Sequence, residues 1–499
     1  MDFQAFIFCG KGYKLSPFSH IREESGIPKA LLPVANRHMI EYVLDWCDQA
    51  NFKEINIVAD ASEVDVIREA LKTYLSVREA QFELLAKSLP SHHSHHTRKP
   101  APVNFIEAKS EFTGEILQKV LFDKITGDFV LLPCDFITDI PPQVFIDQYR
   151  NKDSDNLAMA VYYKNTFENI DKKQLPSFYH VYSDNEDSIK QPVLLDVYSN
   201  EDVERSKDLQ IRTQMLWRFP NAIVSKKLLN SFIYFCCHDL VELLSKEDDS
   251  KSTSEGDSID SEDENAVLNQ QMETHPSHIR RKNKLAKDPI NCNKSIAKIF
   301  RDLARRTWQH TKTRESIGIF ILPNVGAFIR SNNLSAYMEA NRYVLRIKSS
   351  SMATQTAPTT GSAIGADSVV GVNCTIAEKT SVKLSVLGKD CKIGKRCRII
   401  GSLILDGAEI EDETTLENVI IGNFAKIGKR SKLTNSYVEG SYIVNPKSVL
   451  KNETLTHIYL EETDFTDDAL STSDEGDSSE FTDEYYEEDE FEDDGLFER

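Results

Sequence analysis

Two short polar segments follow apolar strands closely enough to build one ligand site. The first is the glycine-rich loop Cys9–Gly12, which comes directly after the apolar run 3–8. The second is Asp135, which follows the apolar run 129–132 after two residues. Glycine lets a backbone approach a ligand closely, and aspartate and lysine supply opposite charges. Because ligands bind beyond the carboxyl ends of parallel strands, we expect both segments at one rim of a sheet.

The elements that would position this rim alternate between strands and helices. The predicted strands are 3–8, 55–58, 103–106 and 129–132, and the predicted helices are 39–49 and 63–74. On the first helix, spacing places several apolar side chains on one face: Met39, Ile40, Val43, Leu44 and Cys47. Strands separated by helices predict an α/β fold with a mostly parallel sheet.

Two further groups of residues allow both a chemical and a plain structural interpretation. Histidines cluster at 91–96 and could bind a metal, but no acidic or thiol ligand lies beside them, so a polar loop is favoured. A basic amphipathic helix at 295–310 carries Arg301, Arg305 and Arg306. These arginines would form either a docking surface for an acidic partner or phosphate, or an ordinary solvated face, which we favour. A strand at 317–322 closes this half of the chain.

Charge is distributed very unevenly along the 499 residues, whose formal net charge is −20. Residues 461–499 contribute −18 and residues 247–264 contribute −8, which leaves +6 for the rest. This pattern predicts a mildly basic folded body with two acidic, disordered appendages. It argues against a dedicated nucleic-acid binder, since an acidic tail repels phosphate and no long basic run is present.

Other global features predict a cytosolic chain without membrane contact. No apolar stretch reaches the roughly 18–20 residues that span a bilayer. The first ten residues lack the basic start of a signal peptide. Nine cysteines without a CxxC pair suit reduced thiols rather than a disulfide framework or a zinc site.

Aliphatic residues recur with a measurable period after residue 363. Their spacing settles into six, six and five residues, which makes 17 per coil: Ile364, Val370, Ile376, Val382, Leu387, Ile393, Ile399, Ile404, Ile410, Leu416, Ile421, Ile427, Leu433 and Val438. Whole periods separate Ser385, Ser402 and Ser436, and likewise Gly394 and Gly428. Such hexapeptide spacing is typical of a parallel β-helix, in which we expect glycine to permit the corner turns. Residues 361–450 contain no histidine, so a histidine-dependent acyltransferase is disfavoured.

The N-terminal motifs resemble those of the sugar-1-phosphate nucleotidyltransferases, which open with a glycine-rich loop and a Lys-Ala-Leu-Leu-Pro-like segment. Here the loop is 8–15 and the segment is 28–40. The resemblance implies a nucleotide-binding pocket formed by Gly10, Gly12, Lys14, Lys29 and Asp135. Cys9, Tyr13 and Lys14 stand where the family has glycine, threonine and arginine. We therefore interpret the pocket as degenerate, with no catalytic residue, metal or cofactor.

An α/β domain, a left-handed β-helix and an acidic tail together resemble the gamma-subunit family of eukaryotic translation initiation factor 2B, in the fungal style. The more particular stretches are 31–48, 131–142, 290–310 and 493–499. Epsilon subunits of the same factor add a C-terminal HEAT-repeat domain that performs nucleotide exchange. Only about 45 residues follow the repeat here, too few and too acidic for such a domain, which favours gamma.

The resemblance implies a non-catalytic subunit that supports exchange of GDP for GTP on initiation factor 2. Its implied partners are an epsilon subunit, contacted through the α/β and β-helix domains, and alpha, beta and delta subunits in a decamer. Two alternatives stay open: an active nucleotide-sugar pyrophosphorylase that uses Mg²⁺, and a free-standing β-helix interaction protein.

The predicted domains are a nucleotidyltransferase-like domain at 1–345 with a disordered insert at about 245–285, a β-helix at 360–455 and a tail at 456–499. Ser254, Ser261, Ser471 and Thr472 each precede an acid by three residues, which suits acidophilic kinases. A purely solubilising tail is the plain alternative, although its aromatic residues exceed what solubility requires.

Overall fold

The computed structural model describes residues 3–19, 26–88, 99–110, 112–153, 155–183, 191–244, 290–309, 315–351 and 363–457. The histidine cluster, the acidic insert, the acidic tail and the four candidate phosphorylation sites lie outside these residues. In the described part, no helix is both long and apolar enough to cross a membrane.

Fourteen short strands and nine helices make up the N-terminal part described here. The strands are β1 Gln4–Cys9, β2 Pro33–Val34, β3 Arg37–His38, β4 Glu54–Asp60, β5 Val103–Ala108, β6 Phe129–Pro133, β7 Phe136–Thr138, β8 Asn156–Lys164, β9 Phe178–Ser183, β10 Val193–Ser199, β11 Ala222–Ser225, β12 Leu228–Cys236, β13 Ser316–Ile321 and β14 Phe328–Arg330. The α-helices are α1 Met39–Ala50, α2 Val64–Ser88, α3 Thr113–Glu115, α4 Pro142–Arg150, α5 Asn200–Ser206, α6 Thr213–Arg218, α7 His238–Leu244, α8 Ile296–Gln309 and α9 Leu334–Ser351. Short 3-10 turns cover Tyr13–Leu15, Lys29–Leu31 and Phe122–Lys124, and a π-helical turn covers Ile116–Val120.

Ten of these strands form one sheet in the order β11-β9-β10-β13-β8-β12-β6-β1-β4-β5. The segment β6-β1-β4-β5 is parallel, as the alternation of strands and helices predicts. The expectation of a mostly parallel sheet is wrong for the remainder, where only β8 and β13 pair in parallel. Parallel neighbours need crossovers of a dozen or more residues, and the short connections around β9 and β10 favour antiparallel pairing instead.

The predicted elements are present, with one notable difference in length. The helix expected to end at residue 74 continues to Ser88. Its extension is rich in Leu, Ala, Glu and Arg and contains neither glycine nor proline, so nothing in it ends a helix. Apolar side chains of α1 and α2 pack with those of β1 and β4 into one buried cluster on one face of the sheet.

The arginines of α8 do not form a solvated face, so that prediction is wrong. Arg301 and Arg306 are only 5% and 9% exposed, and Arg305 donates from Nε to Asp196 Oδ1 over 2.7 Å. A long arginine stem can cover apolar surface while its guanidinium reaches a polar partner. Helical periodicity identified the apolar face of α8 but could not show that the sheet also reaches its basic face.

The C-terminal part is a parallel β-helix built from three sheets. Their strands are β15 Ala363–Ile364, β16 Val369–Val370, β17 Thr375–Ile376, β18 Ser381–Lys383, β19 Val386–Leu387, β20 Lys392–Ile393, β21 Arg398–Ile400, β22 Leu403–Ile404, β23 Glu409–Ile410, β24 Thr415–Glu417, β25 Ile420–Ile421, β26 Lys426–Ile427, β27 Lys432–Thr434, β28 Tyr437–Val438, β29 Ile443–Val444, β30 Val449–Lys451 and β31 Thr454–Leu455. Val382 pairs with Ile399, which pairs with Leu416, so the predicted 17-residue register is confirmed. The inward side chains of all three are fully buried.

Side-chain ladders follow the same 17-residue register. Ser385 Oγ accepts from the backbone N–H of Ser402 over 3.1 Å, and Ser402 Oγ accepts from Val419 N–H over 3.2 Å. We expected glycine to permit the corner turns, but Gly394 does not adopt a left-handed conformation. A Cβ there would lie 2.7 Å from the backbone nitrogen of Asp412 in the next coil, so glycine is needed for close stacking. The left-handed corner nearby is occupied by Arg396, with φ of 57°.

Helix α9 joins the two parts through a shared core. Tyr337 is fully buried and donates its hydroxyl to Pro33 O over 2.6 Å. On the other side of the helix, Arg342 Nη2 donates to Asn418 Oδ1 over 2.8 Å. Ile420 belongs to the same buried cluster as Tyr337, although its side chain faces out of the β-helix. The N-terminal part therefore covers one sheet of the β-helix, called the middle sheet below. It consists of β16, β19, β22, β25, β28 and β31.

Candidate functional site

The glycine-rich loop turns sharply after β1 because Gly12 adopts a left-handed conformation. Its φ is 73°, and a Cβ there would lie 3.1 Å from Cβ of Lys29. The Gly12 carbonyl accepts from Leu15 N–H over 2.8 Å and from Ser19 Oγ over 2.6 Å. Glycine is thus required both for the backbone conformation and for the approach of Lys29. Gly10 is buried in this loop, and Lys14 is half-buried.

Lys29 and Asp135 meet beneath the loop in a buried ion cluster. Lys29 Nζ lies 2.6 Å from Asp135 Oδ2, and Arg330 Nε donates to Asp135 Oδ1 over 3.1 Å. All three side chains are 1% exposed or less. Pairing of β14 with β7 brings Arg330 opposite Phe136, next to Asp135 in the chain. The structure therefore brings together Gly12, Lys29 and Asp135, as predicted, and adds an arginine from 195 residues away.

The charge state of this cluster follows from its surroundings. Burial alone would raise the pKa of Asp135, but the charges of Arg330 and Lys29 outweigh it and hold that pKa below its usual value. The Arg330 guanidinium also lies 5.4 Å from the ring centroid of Phe232, a distance suited to a cation–π contact. One ionised carboxylate thus holds two cations, with each of its oxygens engaged.

Cys9 and Cys134 lie buried behind the loop. Their mutual hydrogen bond and their burial raise the pKa of Cys9 well above its usual value. All nine cysteines of the chain are free in the structure, in agreement with reduced thiols. Cys9 is therefore a small buried packing residue at a position where the nucleotidyltransferases have glycine.

Two acidic residues at the same rim escaped the sequence interpretation. Asp60, at the end of β4, forms an ion pair of 3.3 Å with Lys11. Glu63 is only 3% exposed, and burial together with the nearby charge of Asp60 raises its pKa to about 7. The rule that placed Asp135 at the carboxyl end of its strand would also have found Asp60. Glu63 carried no such signal, because its burial depends on the packing of α2.

The arrangement offers little to a metal ion. Asp135 already contacts two cations through separate oxygens, so its carboxylate does not fit Mg²⁺ as presently arranged. Within the part of the chain that the structure covers, no three or more His, Cys, Asp and Glu side chains converge into a possible metal site.

Both parts of the chain are similar to known proteins. Residues 352–457 match the family described as the EIF2B subunit epsilon LbH domain, a left-handed β-helix. The chain is 26% identical to translation initiation factor eIF2B subunit gamma of Schizosaccharomyces pombe over 267 residues, which are 52% of this chain and 50% of that protein. It is 22% identical to the Dictyostelium discoideum protein of the same name over 404 residues, 74% of this chain and 84% of the relative.

The similarity to the fission yeast protein thus spans about half the length of that relative. The similarity to the Dictyostelium protein reaches across most of both chains, including parts of the N-terminal sheet and of the β-helix. The predicted resemblance is confirmed: the chain is similar to gamma subunits of translation initiation factor eIF2B.

Proposed function

We propose that the chain is a non-catalytic scaffold subunit of an eIF2B-type factor, which supports exchange of GDP for GTP on initiation factor 2. The names of the two relatives described above support membership of such a factor. The β-helix supports an epsilon-like partner, because its own sequence matches the epsilon family. We further propose the cytosol as its location, alpha, beta and delta subunits as further partners, and the domain limits 1–345, 360–455 and 456–499.

The buried cluster of Lys29, Asp135 and Arg330 is the single observation that carries the non-catalytic part of this proposal. Nucleotidyl transfer needs a carboxylate free to hold Mg²⁺ and a lysine free to meet developing phosphate charge. Here the two groups neutralise each other at 2.6 Å, almost entirely out of solvent. A nucleotide would have to break this ion pair and pay for its desolvation, so we infer that the site serves stability.

The outer faces of the β-helix support a role in assembly. Two of its three sheets are not covered by α9. Stacked ion pairs lie on one of them, such as Lys392–Glu409 at 2.8 Å, and at a corner, such as Arg430–Glu413 at 2.8 Å. Ile443 and Val449 in the last coils are 66% and 65% exposed. Exposed aliphatic residues beside ordered charges suit an interface with a second β-helix.

GDP release from initiation factor 2 tests the proposed function. We expect the chain alone to release little GDP, because we propose that exchange is performed mainly by the epsilon-like subunit. Together with an epsilon-like subunit, it should increase release clearly above that of the epsilon-like subunit alone. Release measured with labelled GDP, with each protein alone and with both, checks this. Failure of the chain to co-purify with either protein would contradict the proposal.

The alternative, an active nucleotide-sugar pyrophosphorylase, is tested by pyrophosphorolysis. With Mg²⁺, pyrophosphate and GDP-mannose or ADP-glucose, we expect no turnover above that of the Asp135→Asn variant, which lacks the carboxylate. Formation of the nucleoside triphosphate product is measured by chromatography. Robust turnover by the unmodified chain that the substitution abolishes would establish the alternative.

A further inference from the structure

An apolar patch is exposed at the end of the ten-stranded sheet most distant from β5. It consists of two side chains of α6 and one of β11, Leu216, Trp217 and Val224, which are 42%, 81% and 40% exposed, whereas Ile223, 39% exposed, points to the opposite face of β11. The other two tryptophans of the chain, Trp46 and Trp308, are 4% and 1% exposed. Large exposed aromatic side chains grouped with aliphatic ones typically mark an interaction surface.

The patch is held rigidly by the structure beneath it. Met215 of α6 is fully buried against Trp308, so the next two residues, Leu216 and Trp217, must point outward. A turn closed by the bond from Ala222 N–H to Phe219 O, 3.2 Å long, then leads into β11. The exposed Trp217 is thus presented by a packed helix beside an edge strand.

The backbone of β11 offers a second means of binding. β11 pairs with β9, Ile223 lying opposite Tyr182, and it is the last strand at this end of the described sheet. One row of its backbone groups therefore faces away from the sheet. Unpaired edge strands bind extended segments by adding a further strand, with alternate side chains entering neighbouring pockets.

The chain segment that carries the patch is basic. Between residues 209 and 227 the chain carries four cationic residues and no acidic one. Two of them are tethered, since Arg218 Nη1 donates to Thr307 O over 2.5 Å and Arg212 lies 5.8 Å from the ring centroid of Trp308. Lys226 and Lys227 at the end of β11 are exposed. An occupant should therefore combine negative charge with apolar or aromatic side chains.

We propose that the occupant is the C-terminal segment 461–499 of the same chain, bound as an added strand along β11 with aromatic side chains against Trp217. This segment has a net charge of −18 and contains six aromatic residues: Phe465, Phe481, Tyr485, Tyr486, Phe491 and Phe497. The other acidic segment, 247–264, has a net charge of −8 and no aromatic residue. It therefore complements the basic residues between 209 and 227 but not the apolar patch. This docking does not depend on the proposed function.

The length of the segment permits this contact. The last described residue of the β-helix is His457. The chain beyond it can extend by about 3.3 Å per residue, or roughly 140 Å in total, which exceeds the size of a domain of this kind. Acidic side chains of this segment would meet the four cationic residues between 209 and 227, and salt should weaken this attraction by screening.

The fluorescence of Trp217 provides a direct readout, because Trp217 is exposed whereas the other two tryptophans, Trp46 and Trp308, are buried. In the full chain at low salt, we expect acrylamide to quench Trp217 poorly. Changing Phe481, Tyr485, Tyr486, Phe491 and Phe497 to Ser should release the shielding, as should about 0.5 M NaCl. A Trp217→Phe chain identifies the signal. Neutralising the acids of 247–264 is the matched control and should leave the shielding intact. Equal quenching in the wild type and the tail variant would overturn the proposal.

Zero-length carbodiimide cross-linking identifies the contact and its source. Carboxylates of 461–499 should couple to Lys226 and Lys227, and much less to Lys72 and Lys87, which are also exposed. Mixing unlabelled and ¹⁵N-labelled chains distinguishes links within one chain from links between chains. Links found only between chains would assign the patch to a second copy and refute docking of the chain's own tail. Equal coupling to all four lysines would show non-specific attraction and refute it as well.

Discussion

Replacing Asp135 with Asn is expected to lower the free energy of unfolding by about 3–5 kcal/mol, because Lys29 and Arg330 would remain buried without their counter-charge. Both cations lie within 3.1 Å of the carboxylate, and neither has more than 1% of its side chain exposed. The amide keeps the shape of the side chain but removes its negative charge. Urea unfolding at pH 7, followed by far-UV circular dichroism, measures the loss.

The matched control is Asp65→Asn, which breaks an ion pair with Arg68 on the surface of α2. Asp65 is 80% exposed, so its removal should change the free energy of unfolding by no more than about 0.5 kcal/mol. Replacing Lys29 and Arg330 with Met in the Asp135→Asn chain should recover most of the lost stability, because no buried charge then remains. Equal effects of Asp135→Asn and Asp65→Asn would contradict a buried, charged cluster.

Acid should diminish the difference between the wild type and the Asp135→Asn chain. The pKa of Asp135 is lowered in the folded state, so its stabilising contribution is fully present above the unfolded pKa of about 3.9. The contribution is lost as the pH falls through the lower folded pKa. The two chains should therefore differ fully from neutral pH to about pH 5 and converge only at strongly acidic pH.

The sequence predicted two of the three residues of this cluster. Asp135 and the glycine loop follow strands, and strand ends of a parallel sheet meet at one rim, so local pattern places them together. Lys29 was predicted by the resemblance to the nucleotidyltransferases. Arg330 could not be predicted in this way. It reaches Asp135 only because β14 pairs with β7 across nearly two hundred residues, and no local period encodes that pairing. The change from a polar ligand site to a closed ion cluster depends on that one arginine.

The β-helix shows the same division between local and tertiary information. Its period of 17 residues identified inward residues such as Leu416 and Ile421, because each coil repeats the same environment. The outward residues Leu403 and Ile420 recur with the same period, but the period could not show what covers them, since their burial depends on contact with α9. Arg306 of α8 is a similar case, since this charged residue is only 9% exposed and its burial could not be predicted from the helical period.

Ile420 and Ile421 therefore provide the second prediction, since two adjacent fully buried residues face different cores. Ile421→Glu places a charge inside the β-helix and should destabilise it by about 3–5 kcal/mol or abolish its folding. Ile420→Glu places the same charge between the β-helix and α9. It should leave each part folded but separate them, because in the absence of α9 the position would face water.

Calorimetry and small-angle X-ray scattering distinguish these outcomes. We expect the wild type to unfold with its two parts coupled, because α9 shares one core with both. Ile420→Glu should split this transition into two and increase the radius of gyration, whereas Ile421→Glu should remove the transition of the β-helix itself. Lys432→Glu, an outward and exposed position on a neighbouring sheet, is the control and should change neither measurement. If Ile420→Glu behaved like this control, the contact between α9 and the middle sheet would not hold the two parts together. A loss of both parts would instead mean that the β-helix cannot fold without the N-terminal part. The contact through α9 would then be required for folding, instead of joining two parts that each fold independently.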